Sequence, residues 1–236
     1  MKNTILLVVT LTALVAFYFF GRGIWFPMYV DMIGKRTVTD VIEEYGVAAE
    51  EKLTGAFVSA GVSFPPQEIA LLAIKEDKTL ELWARQGERW SFVKNYQVLA
   101  ASGKSGPKLR EGDKQVPEGV YKIVGLNPNS SYHLSMKLNY PNAFDLAWAQ
   151  KEGRTSPGSD IFIHGKSVSI GCLAVGDPAI EELFYLVHKV GKDNSMVIIA
   201  PQDPRAQALV PPEGAPVWVN ELYREIKAAF MRVVKT

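Results

Sequence analysis

The chain has 236 residues, enough for one ordinary domain with appendages or at most two small ones. With 47% hydrophobic and 22% charged residues it can bury a sizeable core, which excludes a long disordered protein. A net charge of +1 excludes a broad nucleic-acid footprint, and a single cysteine excludes an intramolecular disulfide.

In chain order, Lys2 precedes ILLVVTLTALVAFYFF, sixteen residues from Ile5 to Phe20 without a charge. That is long for the apolar part of a signal peptide and short of the roughly 20 residues of a span. Arg22 interrupts, and IWFP then restores the apolar character. With Arg22 snorkelling toward the head groups, residues 1–27 read as a tilted membrane anchor, with Trp25 and Phe26 at the interface. A cleaved signal is the alternative, since Gly21 and Gly23 carry suitable spacing but flank an arginine. Either way the rest of the chain is expected to be exported.

Val38, Val41, Ile42, Tyr45, Ala49 and Leu53 share one helical face, with Thr37 as N-cap and Asp40 three residues on. This predicts a packing helix within a helical spacer, residues 28–60. From Ile69 to Val98, short apolar runs broken by KEDK and RQGER predict two or three strands joined by hairpins. VYKIVGL, YHLSMKLNY, DIFIHG and SMVIIA read as further strands. Asp177-Pro178 starts a helix whose buried face carries Ile180, Leu183, Phe184 and Val187. A Pro-rich connector and a terminal helix, with Val219, Leu222, Ile226, Ala229, Phe230 and Val233 on one face, fill residues 204–236. The expected fold is mostly β with flanking helices, α+β in class, with the main domain at residues 61–203.

The lone cysteine lies in IFIHGKSVSIGC, residues 161–172, eight residues after His164. A cysteine attacks as the thiolate, and at an ordinary pKa of about 8.5 little is ionised at neutral pH. A neighbouring imidazole changes that; lowering the thiol by two units takes roughly 2.7 kcal/mol of differential stabilisation. His164 ends an apolar strand, Gly165 lets the chain turn, and Gly171 allows close backbone approach, so that the N–H groups of 171–172 can meet an oxyanion. Ser169 is placed to hydrogen-bond the histidine or the loop. By spacing alone a buried core thiol fits as well as a nucleophile.

The stretch HGKSVSIGC resembles the HG…S-x-G-C signature of the YkuD-type L,D-transpeptidase catalytic domain. GPKLREGDKQVPEGVYKI resembles the segment ahead of the active site in that family, and NPNSSYHLSMKLNYPNAFD the strand and loop of its YafK-like branch. The resemblance covers roughly residues 65–200. It implies a sandwich-like β fold, Cys172 as nucleophile, His164 as base, the Gly171–Cys172 backbone as oxyanion hole, and Gly165 and Ser169 as loop residues. It implies no metal and no organic cofactor.

Three positions depart from the pattern. Many members carry arginine two residues after the cysteine, where this chain has Ala174; many have Ser or Thr before the HG, where it has Ile163. Their upstream histidine lies nearer the HG than His133 does here. Lys166, Lys137, Arg154 and Arg205 are candidate cations for a substrate carboxylate, each with a solvated surface charge as the alternative. His133 is a candidate cleft residue, or a satisfied strand histidine. Tyr140 and Trp148 can wall a substrate groove or fill a core, and His188 reads as structural.

The resemblance implies an enzyme of the bacterial envelope, on the periplasmic face, acting on peptidoglycan stem peptides through a thioester. An amine acceptor would give a crosslink or the attachment of a protein to the wall. Water as acceptor makes a hydrolase that trims crosslinks or releases wall-attached protein. A wall-binding domain without turnover is the third reading.

Overall fold

The computed structural model describes residues 2–235, so the outermost residue of each expected terminal segment lies outside the described residues. Six helices are described: α1 (Lys2–Phe20), α2 (Arg22–Ile33), α3 (Val38–Ala60), α4 (Ala143–Lys151), α5 (Asp177–Val190) and α6 (Val219–Val234). The strands are β1 (Glu68–Ile74), β2 (Thr79–Gln86), β3 (Arg89–Gln97), β4 (Ala100–Ala101), β5 (Gly119–Ser130), β6 (His133–Leu138), β7 (Phe162–His164), β8 (Leu173–Ala174) and β9 (Ser195–Ala200). The class is α+β. With six helices beside nine mostly short strands, the mostly-β expectation is corrected.

The strands form one mixed sheet in the order β3-β2-β1-β9-β5-β6-β7-β8-β4. A sandwich-like arrangement gives way to this continuous sheet because β5 is twelve residues long and serves both halves. Its first residues pair with β9 and the remainder with β6, with register shifts at Ile123/Gly125 and Asn127/Ser130. Such irregularities bend a strand and increase its twist.

In β1, IALLAI is apolar at both parities, which predicts burial on both faces. Ile69, Leu71 and Ala73 join the cluster that includes α3 and α5, whereas Ala70, Leu72 and Ile74 join that of α6. β9 runs parallel to β1 and divides in the same way, Val197 and Ile199 to one side, Ile198 and Ala200 to the other. The centre of the sheet thus lies between α3/α5 and α6. Each fully buried Leu or Ile contributes about 1.5–3 kcal/mol.

α3 starts as the sequence predicts. Thr37 Oγ1 accepts the Asp40 N–H at 3.2 Å, and Asp40 Oδ2 accepts the Thr37 N–H at 2.6 Å. Its Val41, Ala49, Leu53 and Phe57 are buried in the main core, and it packs along α5. This part of residues 28–60 is built into the catalytic body and does not act as a free spacer. α4 was not expected from the sequence, although Asn142 and Asp145 form the same reciprocal cap as Thr37 and Asp40.

At the N-terminus the single expected segment is two helices. Lys2–Tyr18 and Arg22–Ile33 are bent by 71°. Gly21 permits the joint, since a Cβ there would lie 2.6 Å from the Phe17 carbonyl oxygen. Among the described residues no single helix is long and apolar enough to cross a membrane; the bent pair together meets that length and composition.

Placing Leu53 in the core predicts that Leu53→Ala lowers the stability of the full chain in detergent by about 3 kcal/mol. Val47→Ala, on the exposed side of α3, should change it by less than about 0.5 kcal/mol. Urea unfolding monitored by fluorescence checks both, and equal, negligible effects would return α3 to a spacer.

Candidate active site

β7 and β8 are parallel neighbours, with Ile163 opposite Leu173 and His164 opposite Ala174. His164 therefore ends one strand while Cys172 precedes the next. Residues 165–172 must double back between them. Gly165 makes that turn possible, because a Cβ would fall 2.6 Å from Asp177 Oδ1 and 2.7 Å from the Tyr132 carbonyl oxygen. Gly171 has a φ of +105°, in the region that favours glycine.

The loop is clamped by two serines. Ser169 Oγ donates to the Cys172 carbonyl at 2.6 Å and accepts the Ser102 N–H at 3.2 Å. Ser102 Oγ in turn accepts the Gly171 N–H at 2.6 Å. The segment holding Ser102 is anchored through Glu118, which is fully buried. Its carboxylate accepts from Lys75 Nζ, the Gly106 N–H and Tyr223 Oη, each at 2.8 Å. A buried charge persists only with its partners in place.

His164 and Cys172 line one cavity of about 190 Å³, shared with Ser131, Tyr132, Ser135 and Phe162. His164 is 2% exposed. Its Nδ1–H donates to the Gly165 carbonyl at 2.6 Å, which assigns the proton to Nδ1 and leaves Nε2 as the basic nitrogen. The Tyr132 ring stacks on it with centroids 4.6 Å apart.

A family description for the L,D-transpeptidase catalytic domain (YkuD) matches residues 68–219. The chain belongs to this family. YafK of Escherichia coli K12 and YafK of Escherichia coli O157:H7 are each 37% identical over 115 residues. The match spans 48% of this chain and 44% of each relative, less than half the length of either protein. Among solved structures, the helical cell shape determining protein Pgp2 of Campylobacter jejuni aligns with a TM-score of 0.48 at 20% identity, over 60% of this chain and 50% of that one.

Within this L,D-transpeptidase domain, burial governs both ionisations. Desolvation lowers the His164 pKa from its ordinary value, partly offset by the Gly165 bond. Desolvation raises the Cys172 thiol, against weaker lowering by the Phe162 backbone and the Lys108 charge. The depressed thiol expected from an adjacent imidazole is not what this environment produces. The resting pair is a neutral imidazole and a protonated thiol. Cys172 Sγ is 3.8 Å from the Asp160 carbonyl oxygen, to which it donates weakly.

Cys172, His164, Gly171, Ser169 and Gly165 come together as one loop and its two flanking strand ends. Gly171 holds a different place from the one expected, because its N–H is committed to Ser102. The three candidate substrate residues are not cavity-lining. His133 Nε2 pairs with Glu181 Oε1 at 2.8 Å, and its ring meets Tyr45 edge-on. Lys166 pairs with Asp177, which also accepts the Lys166 N–H at 2.9 Å. Tyr140 is buried, donating to the Pro157 carbonyl at 2.8 Å. Trp148 stacks on Trp218. Of the other cations, Arg154 pairs with Glu152 and Arg205 with Glu81 and Asp203. Lys137 lies 5.9 Å from the centre of the cavity-lining Phe162 ring and pairs with Asp160 at 2.6 Å.

Sequence reasoning missed Tyr132, Ser102 and Lys108. Tyr132 had no usable signal, since it lies in the turn before β6 and the left-handed His133, at φ +77°, breaks the strand alternation. Ser102 and Lys108 had none, each being more than sixty residues from Cys172.

These shifts predict how stability depends on pH. An unfolded histidine titrates near 6.5, and the folded His164 takes its proton only at lower pH, so its contribution is lost as pH falls below that value. An unfolded thiol ionises near 8.5, and the folded Cys172 only at higher pH, so its contribution is lost as pH rises beyond that value. In a pH series of unfolding midpoints, His164→Gln should flatten the acid slope and Cys172→Ala the alkaline slope. Unchanged slopes would contradict the desolvation of the buried His164 and the half-buried Cys172.

Proposed function

We propose that the chain is a cysteine acyltransferase of the L,D-transpeptidase type that remodels peptidoglycan stem peptides in the bacterial envelope. The observation that carries this reading is the shared cavity of Cys172 and His164, with the imidazole Nδ1–H committed to Gly165 and Nε2 unprotonated. Cys172 Sγ attacks the stem-peptide carbonyl as its proton passes to His164 Nε2. Collapse of the tetrahedral species breaks the C–N bond, and His164 returns the proton to the departing amine of the terminal D-residue. The thioester is then resolved by an acceptor that gives a proton to His164, which passes it back to the sulfur.

With the Gly171 N–H bound to Ser102, the Cys172 N–H is the candidate backbone donor to the oxyanion. Lys137, beside Phe162, is the candidate for a substrate carboxylate. Residues 2–33 serve as a signal or anchor for export.

The acceptor in this reading is an amine, giving a crosslink or an attached protein. A second acceptor is water, a reading that Ala174 and the displaced upstream histidine keep open. Water would release wall crosslinks or wall-attached protein.

Wild type and Cys172→Ala, incubated with purified stem peptides and protein-linked wall fragments and read by mass spectrometry, separate these. A Cys172-dependent crosslink supports the transpeptidase; Cys172-dependent addition of water supports the hydrolase. Turnover should fall at least about 10³-fold in Cys172→Ala and about 10²–10⁴-fold in His164→Gln. Equal activity in wild type and Cys172→Ala would leave a non-catalytic wall-binding domain. Removing the Gly171 acceptor with Ser102→Ala should lower kcat about tenfold with little change in KM, and Ser102→Thr should restore it. A loss confined to KM would assign Ser102 to substrate binding instead.

A further inference from the structure

The N-terminal helices carry a pattern that a simple anchor does not require. α1 leaves apolar side chains exposed around its circumference, Leu6 at 67% and Leu7 at 70% among them. α2 is apolar on two opposite sides. Phe26 and Val30, one turn apart after Arg22, are covered to different degrees, Val30 to 6% exposed. Ile24, Met28 and Met32 repeat at the same four-residue interval and are 69%, 70% and 84% exposed. Two such stripes offset by two residues stand about 200° apart on a helix of 3.6 residues per turn. A helix packed on one side and apolar on the other is stable only if the second side also leaves water.

The same helix is tied to the rim of the Cys–His cavity. Arg22 Nε donates to the Ser131 carbonyl at 2.6 Å, and Ser131 lines the cavity. Just beyond α2, the Arg36 N–H donates to Asn129 Oδ1 at 2.9 Å, Asn129 Nδ2 to the Arg36 carbonyl at 2.7 Å, and Arg36 Nη2 to the Pro128 carbonyl at 2.9 Å. The end of β5 and the turn after it are thus held from both ends of α2. Arg22 also lies over Trp25 and Phe26, at 5.0 and 4.8 Å from their ring centres.

We propose that α2 lies in the plane of a lipid bilayer, with Ile24, Met28 and Met32 in the head-group and acyl boundary while α1 enters the hydrocarbon. The catalytic cavity then opens at the membrane surface and meets substrate held beside it. The 71° bend supplies the geometry. With α1 along the membrane normal, α2 falls within about 20° of the membrane plane, and a tilt of α1 of that size, ordinary for a helix inserted in a bilayer, brings α2 into the plane. The nineteen residues of α1 extend about 28 Å, so α1 enters the roughly 30 Å hydrocarbon without completing a span by itself. Arg22 with Trp25 and Phe26 matches the composition of the head-group level. The exposed large apolar side chains shared by both helices, next to one another in the chain, select lipid as the occupant.

This rests on the reading of residues 2–33 as a retained anchor. The test uses the full chain with Cys172→Ser, which leaves one introduced cysteine as the sole thiol, placed in turn at Leu11, Met28, Met32 and Lys35. Each is labelled with the fluorophore NBD and reconstituted in vesicles of phosphatidylethanolamine and phosphatidylglycerol. Labels at Met28 and Met32 should resist aqueous iodide and be quenched about threefold more by a nitroxide near the head of the acyl chain than by one near its methyl end. Leu11 should show the reverse order, and Lys35 should be open to iodide. A head-group nitroxide should quench a label at Ser131→Cys, and Arg22→Ala should reduce that quenching.

Iodide access at Met28 and Met32 equal to that at Lys35 would overturn the proposal. Deepest quenching there would also overturn it by making α2 part of a continuous span, and shielding without any lipid quenching would replace the bilayer with a protein partner. An inserted α2 with no head-group quenching at Ser131 would overturn the placement of the cavity. A chain that fails to float with the vesicles sinks the anchor reading itself, apart from any result on turnover.

Discussion

The parallel pairing of β7 with β8 is the constraint on which the candidate site depends. It ends one strand at His164 and starts the next just after Cys172, and it obliges the eight residues 165–172 to return between the two strands. So short a return needs glycine where the chain is crowded, at Gly165, and where φ is positive, at Gly171. It also leaves backbone polar groups inside the turn that must find partners. Ser102, Ser169 and Asp177 take several of them, which makes the loop a fixed platform.

Burial is the second determinant, and it acts on both groups at once. Desolvation favours the uncharged form of each, so the resting state is neutral on both sides. In the proposed chemistry the proton moves when the substrate carbonyl is attacked, and the Nδ1 bond to Gly165 holds the ring in the tautomer able to receive it. The charge of Lys108 acts in the same direction, favouring a thiolate as it forms. Lys108 is itself held by Asp113, whose carboxylate also accepts the Leu109 and Gln115 N–H groups.

The surrounding architecture converts distant packing into this local order. α3 and α5 cover one face of the central strands and α6 the other, so the sheet that carries β7 and β8 has little freedom to shift. Glu118 joins β1 through Lys75, α6 through Tyr223 and the loop before β5 through Gly106. The N-terminal helices reach the same site from the other side through Arg22 and the turn after β5. Core, loop and N-terminal helices therefore converge on the cavity that His164 and Cys172 line.

Where a signal is local, the sequence by itself was enough. The Thr37/Asp40 cap, the IALLAI strand and the one-faced pattern of α6 each act within a few residues, and the HG…S-x-G-C stretch marked the family. The tertiary structure alone decided which of Tyr132 and His133 meets the imidazole, because a left-handed residue at the strand start sets the side-chain direction. It decided that Ser102 accepts the Gly171 N–H, that Lys166 and His133 are spent on Asp177 and Glu181, and that the N-terminal segment breaks at Gly21. Each of these depends on pairing register, packing or a contact across many residues. Hydrogen bonds and desolvation are set by neighbours in space, and sequence spacing does not specify those neighbours.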